Sequence, residues 1–525
     1  KRIMKHNILK KQLKSILFIL IGFFLFLILH QLFIPKWYYP NRTLKEQTAR
    51  ILTGIYDEPK GTIDIAFLGT SHMIYGVAPM ELYEKHGIKS YNLSTPSQPL
   101  HVSYYLFKNL LKEQKPKLLV YDASSLFTER CWELSWRYVL DYMPFSINKY
   151  EAAREFTNNF NDITLLEALS PIYNYHSRWA SLEKIDFTDF RRNNHLYTKG
   201  GVLNSEQIPA PTVNEMNASA PPAFISVDMV NWLLKLKTLC KENDVELLVT
   251  KVPSIQLPAV YDSAWTRPRS DEVRRICQEN DIPFFDILYD MHNPINPTTD
   301  FLDGGRHMNF LGTQKVSNIL GDYLVNHYTL DTTRLPMWDK DLQTYQKVRN
   351  VALLQLDFQF ESYLSRLKDC FSDKTIFISA SDEMSSALSD KEKERLKALG
   401  LQTNFSDCYR KSYLAVIENG TVIYETSSDD KLSYSSEITG TNIPYSLVSS
   451  NYNTGSCAEI VINNTNYARN TRGFNIVVYD TDTQMILDSV SFDTFDPAHT
   501  VNRDNTSTLQ YLQEFEYFMI ENKKP

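Results

Sequence analysis

The apolar and polar positions of this chain form three patterns, and the first is an almost unbroken apolar run over residues 16–34. A basic flank precedes this run, made of Lys1, Arg2, Lys5, Lys10, Lys11 and Lys14. A helix needs about 20 apolar residues to cross a bilayer, and a basic flank favours the cytoplasmic side. We therefore predict a cytoplasmic tail over residues 1–15 and a transmembrane helix over residues 16–35, with the rest of the chain outside the cell.

A cleaved signal peptide is the alternative interpretation of this run. The apolar region of a signal peptide is usually shorter and ends in small residues, whereas this one ends in LFIPKWYYP. Trp37, Tyr38 and Tyr39 suit the aromatic belt at a membrane interface. The pattern therefore favours an uncleaved, single-pass anchor in the cell membrane.

The second pattern covers residues 60–330, where short apolar runs rich in strand formers alternate with segments of helical spacing. Strands are predicted at 63–68, 89–93, 117–123, 246–252 and 283–288, and helices at 79–86, 102–113, 229–242 and 270–280. This rhythm predicts a doubly wound α/β domain with a parallel sheet flanked by helices. Residues from about 125 to 223 break the rhythm and are aromatic-rich and mostly helical, so we interpret them as an insertion over the sheet.

The third pattern begins after residue 331. A helical connector is predicted over residues 340–370, and short alternating strands dominate residues 374–525, including a pair around the turn residues Asn419 and Gly420. We expect a separate, smaller domain of β-sandwich type.

Candidate chemistry lies at the end of the first predicted strand, where Gly69 and Thr70 lead into Ser71. Ligands of open parallel sheets bind outside the carboxyl ends of the strands. A loop after the last strand carries Asp303 and His307, and in a sheet of this order the two ends can converge. The hypothesis is that His307 deprotonates Ser71 and Asp303 fixes the imidazole tautomer. The alternatives are a serine that caps a helix and a loop histidine with a structural partner.

Composition excludes some classes of function. The formal charge of −7, less the six positive charges of the basic flank, leaves −13 for the remainder, which argues against nucleic acid as a partner. The six cysteines show no metal-ligand spacing, so we expect no metal. Cys408 and Cys457 lie in the predicted β region, where an oxidising environment would permit a disulfide.

Three segments carry a resemblance to a known family: GTSH at 69–72, YNLSTPSQPL at 91–100, and Asp303 with HMNFLG at 307–312. They resemble the blocks of SGNH/GDSL hydrolases, and most of all the membrane-anchored, extracytoplasmic type of DltD and the alginate acetyltransferases. The resemblance covers roughly residues 60–330. It implies a flavodoxin-type sheet, with Ser71 as nucleophile and His307 as base.

The sequence departs from that family at the carboxylate and at the oxyanion site. The family's carboxylate commonly lies three residues before the histidine, whereas Asp303 lies four before it, and Asp300 is the fallback. Ser94 occupies the place of a glycine whose amide binds the oxyanion, although any backbone N–H can donate. No GxND block follows the third strand, and Asn92 or Gln98 is the candidate replacement for its asparagine.

Residues 377–400 and 472–495 resemble the two signature segments of the ILEI/PANDER domain, in the expected order. The resemblance implies a non-catalytic module that binds carbohydrate or a protein partner. Asp382, Arg472 and Asp493 are its candidate polar contacts, and turn or packing roles are the alternative for each.

Aromatic residues of the insertion suggest a platform on which sugar rings stack. The candidates are Trp132, Trp136, Tyr138 and Trp179, with His176 and Arg178 as nearby polar contacts. The alternative is an aromatic core beneath the insertion, and the frequent burial of tryptophan favours that alternative.

Together these features predict an extracytoplasmic O-acyltransferase (acetyltransferase) or esterase that acts on a cell-surface or exported polysaccharide and needs no cofactor. Transferases of this type usually depend on a multi-pass membrane acyltransferase that delivers the acyl donor. A catalytically silent, membrane-anchored glycan-binding or scaffold protein is the alternative. A signalling ligand is a third reading, which the membrane anchor disfavours.

Overall fold

The structure is a computed structural model, and it describes residues 2–34, 44–127, 133–160, 162–182, 186–187, 195–210, 223–255, 265–292 and 294–521. The chain divides into two compact units, each built from three segments. Unit 1 consists of Lys1–Val202, Pro211–Ile295 and Thr313–Leu335, and unit 2 consists of Leu203–Ala210, Asn296–Gly312 and Pro336–Pro525. Trp37 to Tyr39 of the predicted aromatic belt lie outside the described residues.

Unit 1 contains a five-stranded sheet in which every neighbouring pair of strands is parallel. Its strands are β1 Ile65–Leu68, β2 Ser90–Asn92, β3 Leu118–Asp122, β4 Glu246–Lys251 and β5 Phe284–Asp286. Their order is β2-β1-β3-β4-β5, which is the order of flavodoxin-type sheets. The prediction of a parallel α/β sheet flanked by helices is therefore confirmed.

The sequence of β1 explains its central place in the sheet. All four of its residues are buried, because a strand between two parallel neighbours has helices over both faces. Phe67 pairs with Asn92 on one side and Val120 on the other. This register aligns the carboxyl ends of β1, β2 and β3.

Helices connect and cover these strands, and several begin or end on the residues expected from capping rules. The helices of the first 335 residues are α1 Arg2–Phe33, α2 Leu44–Gly54, α3 Ser71–Gly76, α4 Pro79–His86, α5 Leu100–Leu110, α6 Glu133–Leu140, α7 Ile147–Asn159, α8 Leu165–Leu169, α9 Pro171–Tyr175, α10 Val227–Glu242, α11 Arg267–Glu279, α12 Ile287–Asp290 and α13 Phe310–His327. Helix α4 ends at Gly87, whose φ of 71° is left-handed and whose added Cβ would lie 2.4 Å from the Thr332 carbonyl oxygen.

Helix α1 contains the apolar run. Its segment Lys11–Phe33 has a mean hydropathy of 2.6 and is long and apolar enough to cross a membrane. Among the described residues no other helix meets this description. The end of α1 contacts α9, and the Arg178 guanidinium donates a hydrogen bond to the Phe33 carbonyl oxygen at 2.8 Å.

Unit 2 contains a ten-stranded sheet. Its strands are β6 Thr375–Asp382, β7 Ser412–Glu418, β8 Thr421–Ser428, β9 Leu432–Glu437, β10 Pro444–Asn451, β11 Cys457–Ile462, β12 Thr465–Asn466, β13 Gly473–Asp480, β14 Met485–Phe492 and β15 Val501–Asn502. Strand β6 pairs with three strands, β7, β10 and β13, so the sheet branches there. The predicted strand-rich C-terminal region is present, but its strands form one branched, curled sheet where we expected a sandwich of two.

One face of this sheet encloses an apolar core. The buried side chains of that core include Phe377, Leu414, Val416, Leu447, Ile460 and Val477. The helices that complete unit 2 are α14 Pro336–Gln355, α15 Phe360–Cys370, α16 Asp390–Ala398 and α17 Asn505–Glu521. The first two lie where the helical connector was predicted.

A buried ion pair joins β14 to two of these helices. The Arg503 guanidinium lies 3.0 Å from the Asp488 carboxylate, and it also donates to the Leu354 carbonyl oxygen at the end of α14. The hydroxyl of Tyr363, in α15, donates to Asp488 at 2.9 Å. The charges of this pair are almost wholly removed from water, so each depends on the other for compensation.

The disulfide that the sequence would permit between Cys408 and Cys457 is not formed in this structure. Both are thiols without a disulfide, Cys408 buried and Cys457 half-buried. The Cys408 Sγ instead donates to the Asn404 carbonyl oxygen.

Replacement of Asp488 by alanine is expected to destabilise the protein by roughly 3–5 kcal/mol, because it leaves the Arg503 charge buried without compensation. Thermal and guanidinium unfolding of the full chain in detergent micelles, followed by circular dichroism, measure this change. The control is Asp390→Ala, which removes a fully exposed partner of Lys393 and should unfold like the wild type. Equal stability of the two variants would contradict the prediction.

Candidate functional site

The strand order of unit 1 reverses between β1 and β3, and ligands of open α/β sheets bind in the crevice at such a point. The loop after β1 carries Thr70 and Ser71, and β3 ends at Asp122. These residues therefore occupy the position at which an α/β sheet of this order places a binding site.

A buried side-chain contact joins the two strand ends. The Thr70 hydroxyl donates to the Asp122 carboxylate at 2.5 Å, and the Thr70 N–H points to the same oxygen at 3.3 Å. The other Asp122 oxygen accepts from the N–H and the hydroxyl of Ser124. The strands approach so closely that a Cβ on Gly69 would lie 2.3 Å from the Asp122 Cβ, so only glycine fits before Thr70.

Thr70, and not Ser71, caps the short helix α3. The Thr70 hydroxyl oxygen accepts a hydrogen bond from the His72 N–H, so the capping role that was the alternative for Ser71 belongs to its neighbour. Ser71 is the first residue of α3 and its residue surface is 8% exposed. A strand, a glycine and a serine at the start of the next helix are thus arranged as the sequence pattern predicts.

The second sequence block is bonded to the same loop. The Asn92 side-chain amide donates to the carbonyl oxygens of Met73 and Val77, which closes the end of α3 onto β2. The Ser94 N–H donates to the Asn92 side-chain oxygen at 3.2 Å. The Gln98 amide donates to the Leu93 carbonyl oxygen and the Thr95 hydroxyl. The amide donors proposed for an oxyanion therefore have structural partners in this conformation.

The side-chain hydroxyl of Ser94 differs from these amides. It is buried and makes no hydrogen bond with any described residue. A buried hydroxyl without a partner is costly unless something else supplies one. Of the three oxyanion candidates, Ser94 therefore retains an unused donor.

Lys251 ends β4 and is the second unpartnered polar group at this edge. Its ammonium is buried, makes no hydrogen bond to described residues, and lies 5.3 Å from the centre of the Trp265 ring. Burial lowers the pKa of Lys251 to about 8, although the charges of Asp122 and Asp286 favour the protonated form. Asp286 is itself buried and accepts from the Trp265 indole and the Ser270 hydroxyl.

Unit 2 contains the loop that carries His307. The His307 Nδ1 lies 2.6 Å from one Asp303 carboxylate oxygen, and the His307 N–H donates to the other at 2.8 Å. Gly304 and Gly305, both with positive φ, turn the chain between them. Asp303 therefore holds both the loop and the imidazole ring.

The two candidate carboxylates have different roles in this loop. Burial alone would raise the pKa of Asp303, but the hydrogen bonds and charge of His307 and the backbone N–H of Arg306 outweigh burial and lower it. Asp300 accepts from the Asn296 N–H and the Thr299 hydroxyl. The hydrogen bond to the His307 ring thus comes from the residue four positions before the histidine.

The aromatic residues of the predicted sugar platform differ in exposure. Trp136 is fully buried and packs beside Phe156, so it has no face for a sugar. Trp179 is 73% exposed, Tyr138 is half-buried, and Trp132 lies outside the described residues.

The polar candidates of the insertion make local contacts. The ring Nδ1 of His176 lies 2.7 Å from the Tyr173 carbonyl oxygen. Arg178 forms two hydrogen bonds of 2.9 Å with the buried Asp186 carboxylate, in addition to its bond to α1. These contacts give both residues a structural role.

The three polar candidates of the C-terminal sheet lie at the ends of β6, β13 and β14. Arg472 forms a two-pronged ion pair with Asp493, and its guanidinium lies 4.3 Å from the centre of the Phe495 ring. The hydrogen bonds with Asp493 raise the pKa of Arg472, and the charge of Asp382 contributes. Asp382 has a left-handed φ of 63° and accepts from the Ser456 hydroxyl.

Comparisons of the sequence with protein-family models and with curated proteins give no match. Within the described ranges, no group of three or more His, Cys, Asp or Glu side chains is placed to hold a metal ion. The fold is that of an α/β protein with a parallel sheet and a curled β region. Any activity must therefore be inferred from the side chains of the candidate site.

Sequence reasoning missed Asp122 and Lys251. Each is the last residue of a strand with an apolar centre, LLVYD or ELLVTK, and a charged residue at that point was the available signal. The contact of Asp122 with Thr70 and the burial of Lys251 depend on strand order, which the sequence does not state.

The lowered pKa of Lys251 predicts a pH-dependent stability. Between a pH of about 8 and its ordinary pKa of 10.5, the folded protein releases this proton while the unfolded chain keeps it, so stability rises with pH in that window. Lys251→Met removes this rise. The difference in unfolding free energy between the variant and the wild type should therefore change by on the order of 1 kcal/mol per pH unit across the window. Guanidinium unfolding of the full chain in detergent at a series of pH values measures it.

The control for this experiment is Lys241→Met, a lysine exposed on α10. Its stability difference from wild type should stay constant over the same pH range. A constant difference for Lys251→Met as well would refute the assignment.

Proposed function

We propose that the protein is an extracytoplasmic acyl-transferring enzyme, either an O-acyltransferase or an esterase, that acts on a cell-surface or exported polysaccharide. Ser71 is the nucleophile, His307 the base and Asp303 the residue that orients the base. The observation that carries the proposal is the 2.6 Å contact between Asp303 and the His307 Nδ1. That contact is the one a catalytic histidine needs in order to present Nε2 to a serine.

The chemistry takes place in two halves. His307 Nε2 accepts the Ser71 hydroxyl proton as the serine oxygen attacks the carbonyl carbon of an acyl donor. The bond to the donor's leaving oxygen breaks, that oxygen takes the proton from His307, and the acyl group remains as an ester on Ser71. A sugar hydroxyl, or water in an esterase, then gives its proton to His307 and attacks the acyl carbon. The ester bond to Ser71 breaks, and His307 returns the proton to the Ser71 oxygen.

Chain connectivity supports the assignment of both residues to one reaction. The hydroxyl of Thr313, six residues after His307, donates to the Tyr75 carbonyl oxygen in α3, the helix that begins at Ser71. In the same unit, the Ala78 N–H donates to the Ser317 hydroxyl at 2.9 Å. Helix α13, which follows the histidine loop, is thus bonded to the segment that follows the serine.

The Ser94 hydroxyl, which has no hydrogen-bond partner among the described residues, is the best candidate donor to the oxyanion. The block that contains Ser94 is bonded to the serine loop, since the Thr95 N–H donates to the Gly69 carbonyl oxygen at 3.2 Å. We assign the oxyanion contact to the Ser94 hydroxyl, because its N–H and the amides of Asn92 and Gln98 are already hydrogen-bonded. This replaces the glycine amide that the resembled family uses.

The remaining parts of the proposal concern location and partners. Helix α1 anchors the protein in the cell membrane with the basic tail in the cytoplasm, as the positive-inside rule favours. The curled sheet of unit 2 binds glycan, with Asp382, Arg472 and Asp493 as polar contacts beside the Phe495 ring. A multi-pass membrane protein delivers the acyl donor if the reaction is transfer.

The alternative is a catalytically silent protein that is anchored in the membrane and binds or scaffolds glycan. The amides of Ser94, Asn92 and Gln98 all donate hydrogen bonds within the fold, and this favours the silent protein. An oxyanion site that lacks donors would lower activity severely. Reactivity of Ser71 distinguishes the two.

Covalent labelling by a fluorophosphonate tests the nucleophile. The wild-type full chain in detergent should be labelled at Ser71, and Ser71→Ala should abolish the label, since only an activated serine reacts with this probe. Asp303→Asn should slow labelling by up to roughly 10⁴-fold, because the imidazole loses its orienting charge.

The matched control is Ser97→Ala, an exposed serine in the second block, which should leave labelling unchanged. An unlabelled wild type with native circular dichroism would favour the silent scaffold.

Substitution of Ser94 tests the oxyanion assignment. Ser94→Ala removes the hydroxyl and keeps the N–H, and it should lower kcat for hydrolysis of para-nitrophenyl acetate by roughly 10²–10³-fold with little change in KM. Ser94→Thr, which keeps a hydroxyl, should restore part of the rate. Unchanged kcat in Ser94→Ala would assign the oxyanion contact elsewhere.

A further inference from the structure

A cavity of about 770 Å³ lies beside helix α1, within unit 1. One wall is the carboxyl-terminal half of α1 from Phe23 to Gln31, with Ile34 just beyond it, and another is the segment from Asp141 to Phe145. The lining is completed by Thr53, Tyr56, Asp57 and Lys149. Its volume falls in the range of about 300–1,000 Å³ that is usual for ligand sites. The Ser71 and His307 sites use none of its lining residues.

Many of the residues that line the cavity are apolar, and some of these side chains are exposed. Phe26 and Leu27 of α1 remain 45% and 44% exposed. On the facing segment, Phe145 is 81% exposed, and Ile147, just beyond it, is 69% exposed. Exposed apolar side chains that are grouped in this way are unfavourable in water and mark a surface that another apolar molecule covers.

The position of the α1 wall is fixed by contacts with the insertion. Arg178 donates to the Phe33 carbonyl oxygen and pairs with the buried Asp186. Leu32 and Ile34 of the same end are buried. The two walls of the cavity therefore belong to one packed structure.

The cavity wall that α1 forms becomes more polar toward the carboxyl end of the helix. Phe23, Phe26 and Leu27 line the part nearer the middle of the apolar segment, and His30 and Gln31 line the part nearer its carboxyl end. Residues 23 to 31 span about 12 Å at 1.5 Å per residue. A membrane lipid changes from acyl chain to headgroup in the same direction.

We propose that this cavity binds one acyl chain of a phospholipid from the leaflet at the carboxyl end of α1, with the headgroup beside His30 and Gln31. The inference rests on the membrane anchoring in the proposed function, since only then does α1 present the cavity to lipid. The bound lipid covers the exposed Phe145 and holds the insertion against the membrane surface.

Photocrosslinking tests the site with the full chain in phosphatidylcholine nanodiscs that contain phosphatidylcholine with a diazirine near the end of one acyl chain. After illumination, mass spectrometry locates the adducts. The expected result is adducts on residues 141–145 as well as on α1. Leu27→Trp and, separately, Phe26→Trp fill the cavity from a lipid-accessible position and should lower the adducts on 141–145 several-fold.

The control variant is Phe18→Trp, on the same helix, exposed and outside the cavity, which should keep the wild-type adducts on 141–145. Adducts on α1 alone, or no loss in both filling variants, would overturn the cavity site and leave the anchor in place. Absence of adducts on α1 itself would instead overturn the anchoring, and the lipid site with it.

Discussion

The hydrogen bond between Thr70 and Asp122 is the contact on which the candidate serine site depends. It joins the carboxyl ends of β1 and β3, the two strands between which the sheet order reverses. The same threonine caps α3, so one side chain determines where the strand ends and where Ser71 starts the helix. Gly69 permits this arrangement because a side chain there would collide with Asp122. Ser71 is therefore positioned by its neighbours, and Thr70 supplies the cap.

His307 is also positioned by a neighbouring side chain, in a loop of unit 2. The Asp303 carboxylate holds the backbone N–H groups of Arg306 and His307 with one oxygen and the His307 ring with the other. A carboxylate that supports a loop and an imidazole together keeps the ring in one orientation. Its lowered pKa keeps it ionised, as the acyl-transfer proposal requires. The four-residue spacing between Asp303 and His307 is thus compatible with the hydrogen bond that the usual three-residue spacing serves.

The insertion connects the α/β unit to helix α1 through Arg178, Asp186 and the Phe33 carbonyl. This explains why its aromatic residues divide into two groups. Trp136 packs in the interior with Phe156, while Trp179 and Phe145 stay exposed. If α1 is the membrane anchor that we propose, the exposed Trp179 lies near the end of that anchor, where indole rings favour the interface between lipid and water. Of the predicted platform residues, Trp136 therefore belongs to an interior core, whereas Trp179 remains exposed.

The sequence by itself determined the features that depend on local pattern: the apolar helix, the five strands of the parallel sheet, the strand-rich C-terminal region, and the serine and histidine at loop positions. These follow from periodicity and from glycine and turn residues, which act over a few positions. Only the tertiary structure decided the strand order, the partnership of Thr70 with Asp122, the burial of Lys251 and Trp136, and the single branched sheet in place of a sandwich. Those depend on contacts between residues that are distant in sequence, such as Thr70 and Asp122, which lie 52 positions apart. No local pattern encodes which distant side chain will lie opposite.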